Sequence, residues 1–277
     1  MKNLRNTFPL LVLSLLLSLL LALVPLAGTA AASATVITSS VEASFGLTAA
    51  AGDSAGRARL NGLFRELKLL SAQYDSRETE IRALHDQNTE ALKTAKEAIK
   101  NIDLAAIARL SAAVTSAKAR YQPLFDQYSA LNKRISLLKG LKDKTLNSVL
   151  KAQSDTMKLL VQAARKEIRD KEALLKAAKD IRTRKVAAVR KTLAGIDSLQ
   201  SRIKSQKSAA AALNKRLTAD WSDFRAAIRK QNSSLAGQSL ASAVSGYRQI
   251  AACKLKIIEH EQAVAGVIAA ALKQARG

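Results

Sequence analysis

From Leu104 to Leu138 an apolar side chain falls at every third or fourth position for five heptads. No other feature constrains the fold of this chain as much. One column reads Ile107, Val114, Tyr121, Tyr128, Ile135, and the other reads Leu110, Ala117, Leu124, Leu131, Leu138. Side chains at that spacing line one stripe of a helix, and a 3.5-residue period keeps the stripe facing a second helix along its whole length. The stretch therefore predicts a helix packed along another helix, and it specifies architecture rather than chemistry.

The rest of the chain carries the same signal in pieces. Leu60, Leu67, Tyr74, Ile81, Asn88, Ala95 and Ile102 recur at sevens, with Asn88 on the seam, where a buried amide costs stability but sets register. Glu78 lies four residues before Arg82, a favourable pair on a helix face. The pattern breaks at Asn101-Ile102-Asp103. Asp103 is placed to cap the next helix, and so short a turn predicts antiparallel neighbours. Pro123 sits inside the heptads without changing their phase, which predicts a kink, whereas the phase slips at Gly140 and predicts a bend or loop within Lys139 to Lys144.

From Leu146 the apolar positions run through Val149, Met157, Leu160, Ala164, Ile168, Leu175, Ala178, Val186, Val189, Leu193, Ile196, Leu199 and Ile203, with Gly195 the one weak point. One very long helix and two shorter ones both fit. Leu213, Leu217, Trp221, Phe224 and Ile228 carry the pattern to a second break at Gln231-Asn232-Ser233-Ser234, where Asn232 also opens an N-x-S sequon. The last helix has Val244, Ala251, Ile258, Ala265 and Leu272 at sevens, and its apolar end from Ala263 to Leu272 is too short to cross a membrane and reads as buried. Expected segments are 57–101, 104–139, 143–194, 196–231 and 235–275. The fold class is all-α: long antiparallel helices packed as an elongated coiled-coil-like bundle. Similar surroundings at the two breaks raise a helical-hairpin duplication, 57–139 against 196–275.

The N-terminus sets the compartment. Lys2 and Arg5 precede an apolar run from Leu10 to Leu26 and then small residues ending Ala32-Ser33-Ala34, the order of a secretory signal peptide spanning 1–34. Cleavage is expected after Ala34 or, second, after Ala32, and retention as an uncleaved anchor is the alternative. Residues 35–53 lack a sustained period and read as a flexible tether to the helical bundle, 54–277. Without Lys2 and Arg5, 43 of the 45 basic residues face 22 acidic ones, a net charge of +21. Ten of those bases lie between Ile181 and Ala219 against Asp197 alone: Arg182, Arg184, Lys185, Arg190, Lys191, Arg202, Lys204, Lys207, Lys215 and Arg216. Mixed signs solvate a helix equally well, so a block of one sign implies attraction to an anionic partner.

Catalytic chemistry finds no footing. Gly52-Asp53-Ser54-Ala55-Gly56 matches the G-x-S-x-G nucleophile pattern, but that motif needs a strand before its serine and a histidine beside it. Asp53 or Ser54 as a helix N-cap explains the same residues. His85, His260 and the single Cys253 cannot build the usual zinc constellations, and there is no phosphate loop. No enzyme activity, cofactor, catalytic residue or metal site is expected. Cys253 lies on the flank of an apolar stripe, where it packs or joins two copies through a disulfide.

The run from Asp103 to Leu146, DLAAIARLSAAVTSAKARYQPLFDQYSALNKRISLLKGLKDKTL, resembles the helical N-terminal regions of Gram-positive surface-layer proteins. That resemblance implies a signal-led, basic helical bundle that binds a cell-wall polymer. The reading that follows is a secreted, cell-wall-associated structural or binding protein whose cationic helices hold an anionic wall polymer or an anionic membrane surface, with homo-oligomers through helix faces or Cys253. An extracytoplasmic chaperone-like coiled-coil clamp is the alternative. A nucleic-acid binder is the third, though Ile181 to Ala219 contains no aromatic residue on which bases would stack.

Overall fold

The computed structural model describes residues 35–139 and 144–277, so the leader and most of the Gly140 bend lie outside the described residues. These residues form an all-α bundle with four long helices and no strand among them. The helices are α1 (Ser39–Ala50), α2 (Ser54–Asn101), α3 (Leu104–Leu138), α4 (Lys144–Arg229) and α5 (Ser233–Arg276). Gly195 does not interrupt α4, which is one helix of 86 residues. Pro123 likewise lies inside an unbroken α3. Among the described residues, no helix is long and apolar enough to cross a membrane.

Two compact units divide the chain, one built from residues up to Asp75 together with Asn214–Tyr247, the other from Ser76–Leu213 and Arg248–Gly277. In the first, the expected tether is instead folded. Thr38 caps α1 through its side chain, and Val41, Phe45, Thr48 and Ala49 are buried. Period reading failed here because the burying side chains are few and small, while the ring that anchors the helix, Phe45, finds its partners far away in sequence. Phe45 stacks on Phe64 at 4.1 Å, and Phe224 closes on both at 6.2 Å, with Trp221 stacked beside it. The Thr48 hydroxyl donates to the Ile228 carbonyl at 3.0 Å. Arg57 donates from α2 to the carbonyls of Ala49 and Ala50, satisfying the open C-terminal end of α1. In this unit α1 runs against α2, α2 runs against α4, and α2 and α5 run in the same direction, as the contacts Glu42 with Lys68, Tyr74 with Asn214, and Leu60 with Gly237 require.

The Gly52–Gly56 stretch is the helix start the capping argument predicted. The Gly56 amide donates to Asp53 Oδ1 at 2.6 Å, and a Cβ on Gly56 would press on that same carboxylate oxygen at 2.8 Å, so the glycine makes room for the cap. Helix α1, not a strand, precedes it.

The second unit corrects the topology expected at Asn101–Asp103. Ile81 and Ala95 of α2 share a core with Ile196 and Ile203 of α4, and Ile99 and Ile102 share one with Val189. Beyond the turn, Asp103 meets Lys185, Lys118 meets Glu172, Arg120 meets Glu167, and Asn132 meets Ser154. Partners on α4 recede steadily as the chain advances from α2 through α3. The turn is therefore no hairpin: α2 and α3 follow one another in one direction along a single long antiparallel partner. A break in heptad phase is visible in a sequence, but its direction is not. Asp103 also fails as a side-chain cap. It sits in the left-handed region at φ 51°, which Asp tolerates better than most residues, and turns its carboxylate to Lys185 at 3.3 Å. Helices α3 and α4 instead run antiparallel, and the chain reverses at Gln231–Asn232. There Gln231 at φ 48° and the bonds Asn232 N to Ala227 O and Gln231 N to Ile228 O end α4 in a Schellman motif. Asn232 then caps α5 by accepting from the Leu235 amide at 3.0 Å.

Polar groups pin α2 to α5 in parallel register. Asn88, buried on the seam as expected, donates to the carbonyl and the carboxylate of Glu261 at 2.9 and 2.8 Å. His85 approaches the same carboxylate at 3.2 Å. Two turns back, buried Lys254 donates to Glu78, which also pairs with Arg82 at 3.5 Å.

Candidate polyanion-binding surface

Helix α4 presents the ten basic residues, and its heptad phase decides which are available. Val189, Ile196, Ile203, Ala210 and Leu217 are buried on one side of the helix. Arg184, Arg190, Lys191, Arg202, Lys204, Lys207, Lys215 and Arg216 are exposed on the rest and form no ion pair among the described residues. Arg190 and Lys204 occupy the same heptad position on either side of Asp197, while Arg184 and Lys191 form a neighbouring column without an acid.

Arg182 and Lys185 are differently employed. The Arg182 guanidinium donates to the carbonyls of Ile102 and Lys100 at 2.9 and 3.0 Å, closing the end of α2 as Arg57 closes α1. Lys185 pairs with Asp103. Both hold the α2–α3 junction, which leaves six exposed bases, Arg184 to Lys207, on the second unit and two, Lys215 and Arg216, on the first.

A second basic flank lies where α4 pairs with α3 alone, and the count of bases against acids missed it because scattered acids dilute it. The pair Lys118–Glu172, at 2.6 Å, marks one side of this two-stranded section, and on that side α4 carries Lys151, Lys158, Arg165, Arg169, Lys176 and Lys179, interrupted by Asp155 and Glu172. Assigning heptad positions before counting charges would have found it. The opposite side is marked by Arg120, whose guanidinium donates to both Glu167 oxygens at 2.7 and 2.8 Å and lies 4.5 Å from the Tyr121 ring. The hydrogen bond from Tyr121, opposed by desolvation and aided by the charges of Arg120 and Lys171, holds the Glu167 carboxyl below its ordinary value. The same bond raises Tyr121. This side is locally neutralised.

The depression lined by Lys144, Asn147, Ser148 and Lys151 is open to solvent. No group of three or more His, Cys, Asp or Glu among the described residues is arranged to hold a metal ion. Cys253 is half-buried with a free thiol. The surface as built suits a ligand that lies along a helix and presents repeated negative charges. No protein-family model matches this chain, and neither a curated protein nor a solved structure matches it.

Proposed function

We propose that this protein is an exported structural and binding protein whose cationic helical surface holds an anionic polymer of the cell envelope. The observation that carries the reading is the set of six exposed bases on α4 from Arg184 to Lys207, within the second unit, that form no ion pair among the described residues. Like charges one or two turns apart repel, and an extended polyanion laid along the helix relieves that repulsion while releasing its own counterions. The basic flank beginning at Lys151 extends the same character along α4.

The test is binding of purified protein to isolated cell walls, with walls stripped of anionic polymer, anionic vesicles and duplex DNA as comparisons. Retention by intact walls, loss on stripping and steep release by salt are expected. Changing Arg184, Arg190, Lys191, Arg202, Lys204 and Lys207 together to glutamine keeps helix propensity and spares the junction residues Arg182 and Lys185. The slope of log affinity against log salt should flatten by about 0.7–0.9 for each contact removed, if the polymer behaves as phosphate polyanions do. Unchanged binding by that variant makes the block a solvated face, and preference for vesicles or DNA moves the partner to that class.

A further inference from the structure

We propose that the neutral side of the α3–α4 section is a dimer interface, on which a second copy of the same section packs about a two-fold axis. Along α4, Leu160, Leu174 and Ile181 share one heptad position and Val149 the position beside it, with Ala163 and Ala177 between them. These side chains continue the 3,4 spacing of the seam on its flank, yet they are 55%, 59%, 45% and 61% exposed, and Leu137 across the groove on α3 is 81% exposed. Together the five leave roughly 500 Å² of apolar surface in water along the section, interrupted at Glu167 and Asp170, against the ~800 Å² each partner of a stable complex buries.

Two observations select the occupant. The first is shape. The residues keep fixed heptad positions over 32 residues, so the stripe winds with the supercoil by about a third of a turn, given a pitch near 150 Å. A flat bilayer cannot meet both ends of such a stripe, whereas helices sharing the supercoil can. The second is charge. A chain of net charge +23 repels its own copy over most of its surface, but on this side Arg109, Arg120, Arg134 and, at the far end, Arg184 are set against Glu167 and Asp170, with Glu167 already joined to Arg120 and Lys171, and Asp170 to Lys166. The opposite flank, with its six bases on α4, is where repulsion would be strongest. A self-complementary apolar stripe with little net charge suits the isologous contact of a closed dimer.

Sedimentation equilibrium of the purified protein under reducing conditions, which remove any Cys253 disulfide, tests this apart from polymer binding. The expected result is a dimer that holds or tightens as salt rises, the reverse of the salt response of a polyanion complex. Leu160→Gln with Leu174→Gln should raise the dissociation constant at least about a hundredfold, with helical circular dichroism unchanged because both side chains are already exposed. Leu137→Gln with Val149→Gln is an independent pair with the same expectation, and Lys158→Gln with Lys176→Gln on the other flank should leave the dimer intact. A parent that stays monomeric at all salt concentrations overturns the proposal. So does a dimer indifferent to both glutamine pairs, one lost on adding salt, or a monomer that binds phosphatidylglycerol vesicles through Leu160 and Leu174.

Discussion

Glu78 and Lys254 show how one pair of side chains is both a register device and a source of acid sensitivity. Desolvation alone would push the Glu78 carboxyl up, but the hydrogen bond from Lys254 and the charges of Lys254 and Arg82 outweigh it and hold the group below its ordinary value. A carboxyl depressed on folding contributes stability that is fully present above its unfolded value and is lost as pH falls through the folded one. Thermal melts should therefore fall as pH drops below about 4.5, the ordinary carboxylate range, and Glu78→Gln should flatten that fall. At neutral pH the same substitution removes a charged partner from the Lys254 ammonium, which is 3% exposed, and should cost about 1–3 kcal/mol. Adding Lys254→Met should recover part of the loss, since it takes away the buried ammonium whose pairing was weakened. Chemical denaturation of the parent and the two variants measures each quantity.

At the scale of elements, the long helices are stable because an apolar stripe is covered rather than because the sequence is intrinsically helical. Helix α4 makes the point at Gly195, where a glycine sits exposed in the middle of 86 helical residues and a Cβ would meet nothing within 4 Å. Gly195→Ala should stabilise the protein by about 0.5–1 kcal/mol, measured by denaturant midpoint at constant slope. The heptads also decide between neighbouring apolar residues that look equivalent. Val149 and Leu160 fit the α4 pattern as read, but Leu150 and Val161 take the core and leave the other two in water. The seam of α3 holds at every position read for it, although only Val114 and Ala117 are fully buried. A single partner helix covers a stripe without enclosing its edges.

Over the whole molecule, six aromatic residues, Phe45, Phe64, Tyr74, Trp221, Phe224 and Tyr247, concentrate in the first unit and replace heptad packing with ring contacts. Phe224 is fully buried, and Phe224→Ala should cost about 3–5 kcal/mol. Deleting residues 35–52 should lower the melting temperature by uncovering Phe64 and Phe224, an effect that removal of a true tether would not produce. Differential scanning calorimetry of the two variants checks both.

Periodicity alone determined the helical class, the seam of α3, the buried Asn88 and the capped start of α2, because each follows from spacing and local hydrogen-bonding chemistry within a few residues. The block of bases was equally plain as a count. Only the tertiary structure decided that α2 and α3 follow one another along α4, that α1 is a packed helix, and that Arg182 and Lys185 belong to a junction rather than to the open surface. Those outcomes turn on partners tens to hundreds of residues away: Ile102 and Asp103 on α4, Phe45 on Phe64 and Phe224, and Arg182 on the last carbonyls of α2. A local pattern states which face of a helix needs covering, and long-range packing settles what covers it.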